Sequence, residues 1–281
     1  MISRKFFRKI IIHPTLIIFF IIAFITGTFI QFATIITIVF IHELGHYFAA
    51  RFFKWRIDSV VLWAFGGVMI TDEHDSRPLI EELIVTIAGP LQHIVLFFFI
   101  QFFSYFDLLS PYIIEQAIFF NRIILLFNLL PIYPLDGGKI CKVFFSYFLP
   151  YRRCFQLVLI FSFIVCIFIL VVQLIVLPFT FSAMFIVLFL IIEIYKNWKN
   201  EYFTFIRYLL HRLSSEQQSK KVRHLYVSDH VRLMEIFNQF KRNTYYYIYI
   251  TPQYYVTETD SLKRYFYDKK HTETIKEIYL K

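Results

Sequence analysis

Long apolar runs separated by short polar segments make up most of the chain as far as Lys196. Each run has close to the ~20 residues that an α-helix needs to cross a bilayer. The runs cover approximately residues 13–30, 31–53, 79–105, 112–131, 155–177 and 179–196. This pattern predicts a polytopic α-helical membrane protein, with six transmembrane helices in a membrane domain of residues 1–196.

The composition agrees with a membrane protein. Of 281 residues, 58% are hydrophobic and only 17% are charged, compared with roughly 25% in an average soluble domain. The net charge of +9 comes from Lys and Arg placed between alternate apolar runs and along the polar tail, while the opposite loops between the runs contain none. Basic loops stay in the cytoplasm, so both termini are predicted to be cytoplasmic and no direct binding of nucleic acid is expected.

A short segment between the second and third runs has a different character. Residues 57–70 are rich in β-branched and aromatic residues around the pair Gly66 and Gly67. These features predict a membrane-associated β-hairpin with a Gly turn. An edge strand there could hold an extended substrate, whereas an interfacial loop that dips into the lipid headgroups fits the same residues equally well.

The tail, residues 197–281, is more polar. Residues 197–221 are predicted to form a basic linker. Within residues 222–281, strand and helix signals follow one another in the order β, α, β, β, α, which predicts a small α/β domain with one sheet. So short a domain buries little core alone, and self-association through the tail is expected.

The second apolar run contains the motif His42-Glu43-Leu44-Gly45-His46. Histidines at positions i and i+4 lie on one helix face, so both can bind one Zn2+ while Glu43 acts as the general base on a water molecule. Such a five-residue pattern also occurs by chance. Ionisable residues within a membrane helix each cost about 2.5 kcal/mol or more, however, so a functional metal site is the better interpretation.

A catalytic zinc needs a third protein ligand. Asp136 is the candidate, because it follows the fourth run at a Pro-rich and Gly-rich break whose predicted depth matches that of His42 and His46. An ordinary turn residue is the alternative for Asp136. Asn128 could hydrogen-bond the substrate backbone or the developing oxyanion, and a helix–helix hydrogen bond is about as plausible.

Other polar residues occur within the apolar runs. We expect Arg122 to pair with Glu115 or a backbone carbonyl, and His93 to form a hydrogen bond within the helix bundle. Gln92 next to His93 has no assigned role.

Three motifs together resemble the site-two protease family of intramembrane zinc metalloproteases, and in particular its sporulation branch. They are Phe40-Ile41-His42-Glu43-Leu44-Gly45-His46, Ala88-Gly89-Pro90-Leu91 and Asn128-Leu129-Leu130-Pro131-Ile132-Tyr133-Pro134-Leu135-Asp136-Gly137-Gly138. The resemblance implies one zinc ion per chain. The ligands it implies are His42, His46 and Asp136, with Glu43 as the catalytic base, Asn128 as a substrate-binding residue, and a Gly66–Gly67 hairpin that meets the substrate.

The tail resembles a single cystathionine-β-synthase (CBS) motif, half of the usual pair. This likeness implies a homo-oligomer formed through the tail and raises the hypothesis that the tail binds ATP or another adenine nucleotide. The branch also implies a pro-sigma factor as substrate during sporulation, inhibitory membrane proteins as partners, and the membrane surrounding the forespore as location. A CBS-regulated membrane metal transporter is the alternative function, since intramembrane His and acidic residues also occur along ion pathways.

Overall fold

A computed structural model describes residues 10–63, 66–71, 73–175, 180–214, 221–228, 230–251, 254–268 and 274–275. The chain divides into two compact units. The first contains the described residues up to Pro131 together with Leu135–Ile140, and the second contains Ile132–Pro134 and the described residues from Cys141 onward.

Four apolar helices dominate the first unit. They are α1 (Pro14–Ile25), α2 (Phe29–Phe52), α3 (Leu79–Tyr105) and α4 (Pro111–Asn128). A proline at the first turn and a side-chain cap start both α1 and α4, with His13 accepting a hydrogen bond from Thr15 N and Ser110 accepting one from Ile113 N. Pro90 lies inside α3 without ending the helix.

A three-stranded sheet completes this unit, in the order β1, β2, β3. Strands β2 (Ile57–Trp63) and β3 (Gly66–Thr71) pair antiparallel from Trp63 opposite Gly66, which confirms the predicted hairpin, but Gly66 and Gly67 are the first residues of β3 and do not form its turn as predicted. The short strand β1 (Ile10–Ile12), which the sequence does not predict, pairs parallel with β2. Strand β1 therefore occupies one edge of the sheet, and β3 forms the other.

Apolar side chains from α2, α3 and the sheet form one buried cluster. Its members are Tyr47, Ala50, Trp55, Ile57, Val60, Met69 and Val85. At Gly45 of α2, a Cβ atom would overlap the carbonyl oxygen of Ala88 in α3, so the two backbones approach closely only because this residue is glycine. The hairpin and the motif-bearing helix are thus fixed against each other.

The second unit begins with helices and ends in the tail. Its helices are α6 (Tyr151–Ile175), α7 (Phe181–Lys199) and α8 (Glu201–Ser214), preceded by the end of α5 (Asp136–Ser146). The turn predicted at Pro178 lies outside the described residues. Helix α8 lies within the segment predicted as a linker, and it buries Phe205, Tyr208 and Leu209 in the core of the tail.

The tail sheet follows the predicted element order. Strand β4 (Lys221–Tyr226) pairs parallel with β5 (Thr244–Thr251), and β5 pairs antiparallel with β6 (Tyr254–Thr257). Helices α9 (Leu233–Phe237) and α10 (Glu258–Phe266) complete the order β, α, β, β, α. The amphipathic face of α8 adds to this small core, which explains how so short a domain buries an apolar cluster.

A buried ion pair ties α8 to the start of α10. Arg212 Nε and Nη2 each lie 2.6 Å from a carboxylate oxygen of Glu258, and Arg212 Nη1 donates to the Tyr208 hydroxyl. Burial alone would lower the pKa of Arg212, but Tyr208 and Glu258 raise it above its ordinary value, so the guanidinium stays charged. The tail core thus depends on a paired internal charge.

Removing the carboxylate from this pair should destabilise the tail. Glu258→Gln is expected to cost about 3–5 kcal/mol, because it removes the negative charge that pairs with the buried Arg212 guanidinium. Asp268→Asn is the matched control, since Asp268 pairs with Arg264 at the surface, and it should cost no more than about 1 kcal/mol. Pulse proteolysis of the full chain in detergent, across a urea series, measures both. Equal urea midpoints for the two variants would contradict the structural role of the pair.

Among the described residues, four helices are long and apolar enough to cross a membrane: Phe29–Phe52, Leu79–Tyr105, Tyr151–Ile175 and Phe181–Lys199. Pro14–Ile25 is a shorter apolar helix. Large apolar side chains remain exposed along these helices, for example Phe98 at 65% and Phe168 at 66%, as expected where lipid is the surrounding solvent. The protein is therefore a multi-pass membrane protein.

Candidate active site

Three buried side chains converge in the first unit. His42 Nε2 and His46 Nε2 each lie 3.1 Å from Asp136 Oδ2, and the two Nε2 atoms are 3.1 Å apart. The exposed fractions are only 3%, 6% and 3% for His42, His46 and Asp136. The helical spacing of α2 brings the two imidazoles onto one face, as the sequence predicts.

The donor set fits a tetrahedral metal ion. Ligand atoms ~2.0 Å from a common zinc ion lie roughly 3.3 Å from one another, which is close to the separations seen here. Lone pairs of two imidazoles and a carboxylate repel one another when they face a common point without a cation. The open fourth position that a catalytic zinc requires remains compatible with this set of three.

Asp136 reaches the site because the chain breaks after α4. Helix α4 ends at Asn128, and Asp136 is the first residue of α5. A Cβ atom at Gly137 would overlap the carbonyl oxygens of Leu129 and Leu130, so the turn closes this tightly only with glycine next to the ligand. Lys139 Nζ lies 3.1 Å from the other carboxylate oxygen, Asp136 Oδ1, and helps to hold its orientation.

Glu43 lies beside this cluster and is 7% exposed. The backbone of Gly67 in β3 lies against its carboxylate: a Cβ at Gly67 would overlap Glu43 Cγ and lie 2.9 Å from Oε1. Gly66 has a φ angle of 149°, which favours glycine. The structure therefore brings Gly67 of the predicted Gly pair against the predicted base.

Asn128 is not joined to this cluster in the structure. Its side-chain amide donates to the carbonyl of Ile124, one turn earlier in α4, at 3.0 Å. Arg122 is exposed, and within the described part of the chain it forms no ion pair with Glu115. The predicted pairing of Arg122 with Glu115 is therefore excluded. The described hydrogen bond of Asn128 stays within its own helix.

Both histidines also have hydrogen-bond partners at Nδ1, on the side of the ring away from the cluster. The sequence indicates these partners only in part. His46 Nδ1 lies 2.8 Å from the carbonyl oxygen of Val85, and His42 Nδ1 lies 3.0 Å from His93 Nε2. His93 is thus a buried hydrogen-bonding residue within the bundle, as predicted. Its own partner Asn121 was not predicted, because a single Asn in an apolar run carries no local signal that distinguishes it.

Gly89, in the motif Ala88-Gly89-Pro90-Leu91, lies directly against the two histidines. A Cβ atom there would overlap Nε2 and Cε1 of His46 and would come within 2.9 Å of His42 Cε1. The sequence indicates only that a small residue allows close helix packing in α3. The structure shows instead that the backbone of Gly89 forms a wall against both imidazoles, on the side of Nε2 and Cε1 of His46.

Adding a single methyl group at this wall should displace the histidines. Gly89→Ala is expected to weaken zinc binding by about tenfold or more, because metal sites tolerate little displacement of their ligands. Ile94→Ala, a lipid-facing change on the same helix, serves as control and should leave zinc affinity unchanged. Chelator competition on the two purified variants gives the comparison. Wild-type affinity in Gly89→Ala would show that the wall can yield.

The profile of peptidase family M50 matches residues 30–111, a range that contains His42, Glu43, His46 and Gly89. A relative that is 35% identical also aligns along almost the whole chain. The chain therefore belongs to peptidase family M50, the site-two proteases of membranes, and is a peptide hydrolase. This membership leaves the metal-transporter alternative without support.

The relative is Stage IV sporulation protein FB of Bacillus subtilis, and the alignment covers 277 residues, 97% of this chain and 96% of that protein. Zinc metalloprotease MJ0392 of Methanocaldococcus jannaschii is 31% identical over 146 residues, 48% of this chain and 42% of that protein. A solved structure, the Site-2 Protease from Methanocaldococcus jannaschii, superposes with a TM-score of 0.55 at 23% identity. That superposition covers 66% of this chain and 89% of the solved chain, and it supports the fold.

Proposed function

We propose that the protein is a zinc-dependent intramembrane endopeptidase that cleaves a membrane-associated pro-sigma factor near the cytoplasmic face. The observation that carries the proposal is the convergence of His42, His46 and Asp136 at 3.1 Å separations next to the buried Glu43. Membership of family M50 supports the peptide as substrate class. The name of the sporulation relative supports a role in sporulation.

His42, His46 and Asp136 would hold the zinc ion. When bound, zinc would polarise the scissile carbonyl and make a water molecule a stronger acid. Glu43 accepts a proton from the attacking water and later delivers it to the nitrogen of the leaving amine. Asn128 can bind the substrate backbone through its amide oxygen or its second N–H, because the bond to the Ile124 carbonyl uses only one of the two hydrogens on its nitrogen.

Strand β3 is suited to hold the substrate. It forms the edge of its sheet, and its first residues, Gly66 and Gly67, lie beside Glu43. A substrate segment that leaves its helix could pair with this edge through backbone hydrogen bonds. Its scissile carbonyl would then lie close to the base.

Six transmembrane helices with cytoplasmic termini fit the basic residues between the apolar runs. Four helices meet the length and composition of a span, and Pro14–Ile25 and Pro111–Asn128 would supply the other two. In this arrangement residues 1–196 form the membrane domain and the remaining residues lie in the cytoplasm. The membrane surrounding the forespore is the proposed location, by similarity to the sporulation relative.

The tail is proposed to act as a half CBS domain of residues 222–281 that joins copies of the chain. Tyr226 and Tyr255 on its sheet are 72% and 53% exposed and are connected through the ring of Tyr249, forming an aromatic surface suited to burial between copies. Adenine nucleotides and inhibitory membrane proteins are the regulators proposed by family resemblance. Calorimetry with millimolar ATP on the purified full chain tests the nucleotide.

Co-expression tests the proposed substrate class. The chain is produced with candidate pro-sigma factors, and their processing is followed by immunoblotting. Wild type should shorten at least one precursor, and the Glu43→Gln variant should leave it intact. Processing of every precursor to the same extent by both proteins would point to another protease in the host.

A further inference from the structure

A relay of hydrogen bonds runs behind His42 through three helices. His42 Nδ1 lies 3.0 Å from His93 Nε2, and His93 Nδ1 lies 2.7 Å from Asn121 Oδ1. Asn121 Nδ2 in turn donates to the carbonyl oxygen of His93 at 2.9 Å. The side chains come from α2, α3 and α4, and their exposed fractions are only 3%, 1% and 5%.

The direction of this relay follows from its far end. The carbonyl oxygen of His93 can only accept a hydrogen bond, so the NH2 group of Asn121 must face it. The flipped side chain would place two oxygen acceptors 2.9 Å apart. The Asn121 oxygen therefore faces His93 Nδ1. Because that oxygen can only accept, His93 Nδ1 carries the hydrogen.

The remaining steps lead to the metal site. In a neutral imidazole with hydrogen on Nδ1, Nε2 is an acceptor, so His93 Nε2 accepts from His42 Nδ1. His42 Nε2 is then left with a free lone pair, and this is the atom that lies 3.1 Å from Asp136 Oδ2. The orientation of one amide in α4 thus selects the tautomer in which His42 can bind a metal.

His46 reaches the same state by a different contact. Its Nδ1 lies 2.8 Å from the carbonyl of Val85, an acceptor that side-chain substitution cannot remove. A backbone contact alone therefore places the hydrogen of His46 on Nδ1 and leaves Nε2 with a free lone pair. The tautomer of His42, by contrast, depends on the side chains of His93 and Asn121. Mutation of partner side chains can therefore release His42 from its orientation, but not His46.

We propose that His93 and Asn121 are positioning residues that fix the tautomer and ring orientation of His42. Their contribution is to metal affinity, and neither contacts the substrate. The inference rests on the proposed function in that zinc is the metal held by His42. Outer hydrogen-bond partners of this kind change metal affinity by about 10–100-fold when they are removed.

The test measures zinc affinity by chelator competition on the purified full-length protein. His93→Phe removes the acceptor, and Asn121→Leu removes both bonds of the amide at similar volume. Each should weaken zinc binding by about 10–100-fold. His93→Gln, which restores an acceptor, should recover part of the loss. His13→Phe is the matched control, because His13 stacks on Trp63 with ring centroids 4.2 Å apart and, within the described residues, does not contact the cluster.

A second measurement separates positioning from general stability. The visible absorption bands of the Co2+-substituted protein should change in Asn121→Leu, since they report ligand geometry. A purely structural role would lower the melting temperature of metal-free and loaded protein alike, with wild-type zinc affinity and cobalt bands, and this result overturns the inference. Absence of zinc binding by wild type would refute the proposed metal site itself, which keeps the two failures distinct.

Discussion

Glu43→Gln is expected to abolish proteolysis while the protein retains its zinc. Three other side chains converge at the proposed metal position, and Glu43 lies beside them with its carboxylate against Gly67. Glutamine has nearly the same shape as glutamate, so packing at Gly67 should persist. Its amide cannot accept the proton of an attacking water, and loss of a general base costs about 10²–10⁴-fold in rate.

Two measurements on one preparation decide this prediction. Zinc per chain is determined by atomic emission, and cleavage is followed with a precursor that wild type processes. Glu193→Gln, which removes a carboxylate paired with Lys196 on α7, should keep both zinc and activity. Wild-type cleavage rates in Glu43→Gln would refute the role of Glu43 as base.

Asp136→Asn is expected to lose zinc and proteolysis together. Asp136 is the anionic member of the buried donor set, and its two oxygens face the histidines and Lys139. Asparagine would remove the negative charge that offsets the cation, and it would remove the ion pair between Asp136 and Lys139. The loss of zinc affinity should exceed the ~100-fold upper end seen when only an outer partner is removed.

Comparison with Glu43→Gln makes this result specific, because one variant should keep the metal and the other should not. Asp107→Asn provides the control for the Asp-to-Asn change. Asp107 adopts a positive φ of 52° in the loop after α3, a conformation that Asn also accepts, so that variant should bind zinc normally. Unchanged zinc content in Asp136→Asn would remove this residue from the ligand set.

The sequence predicts the catalytic motif because its geometry is local. His42 and His46 share a face in any α-helix, and a zinc protease needs one more ligand, which leads to Asp136 at the break after Asn128. The tail could be predicted for the same reason, since the alternation of residues within each short element sets its type. The local periodicity of the sequence was therefore sufficient to predict both the catalytic motif and the element order of the tail.

Contacts between distant segments could not be predicted. Asn121 lies 28 residues from His93, and only the packing of α3 against α4 turns an isolated amide into part of the relay. Likewise, α8 falls in the segment predicted as a basic linker, because an amphipathic stretch does not by itself show what its apolar face packs against. Its apolar face became recognisable as core only with the tail sheet in position.

Gly67 and Gly89 together limit how the enzyme can be redesigned. The active site is bounded by the main chain at both positions: Gly67 lies against the base Glu43, and Gly89 lies against the imidazoles of His42 and His46. A methyl group added at either glycine would overlap the side chain of Glu43 or the imidazoles of His42 and His46, so these functional groups would have to rotate away from their positions. Attempts to change the preferred peptide should therefore leave both glycines intact and vary Ile70 farther along β3, which is exposed, whereas Met69 next to it belongs to the buried cluster.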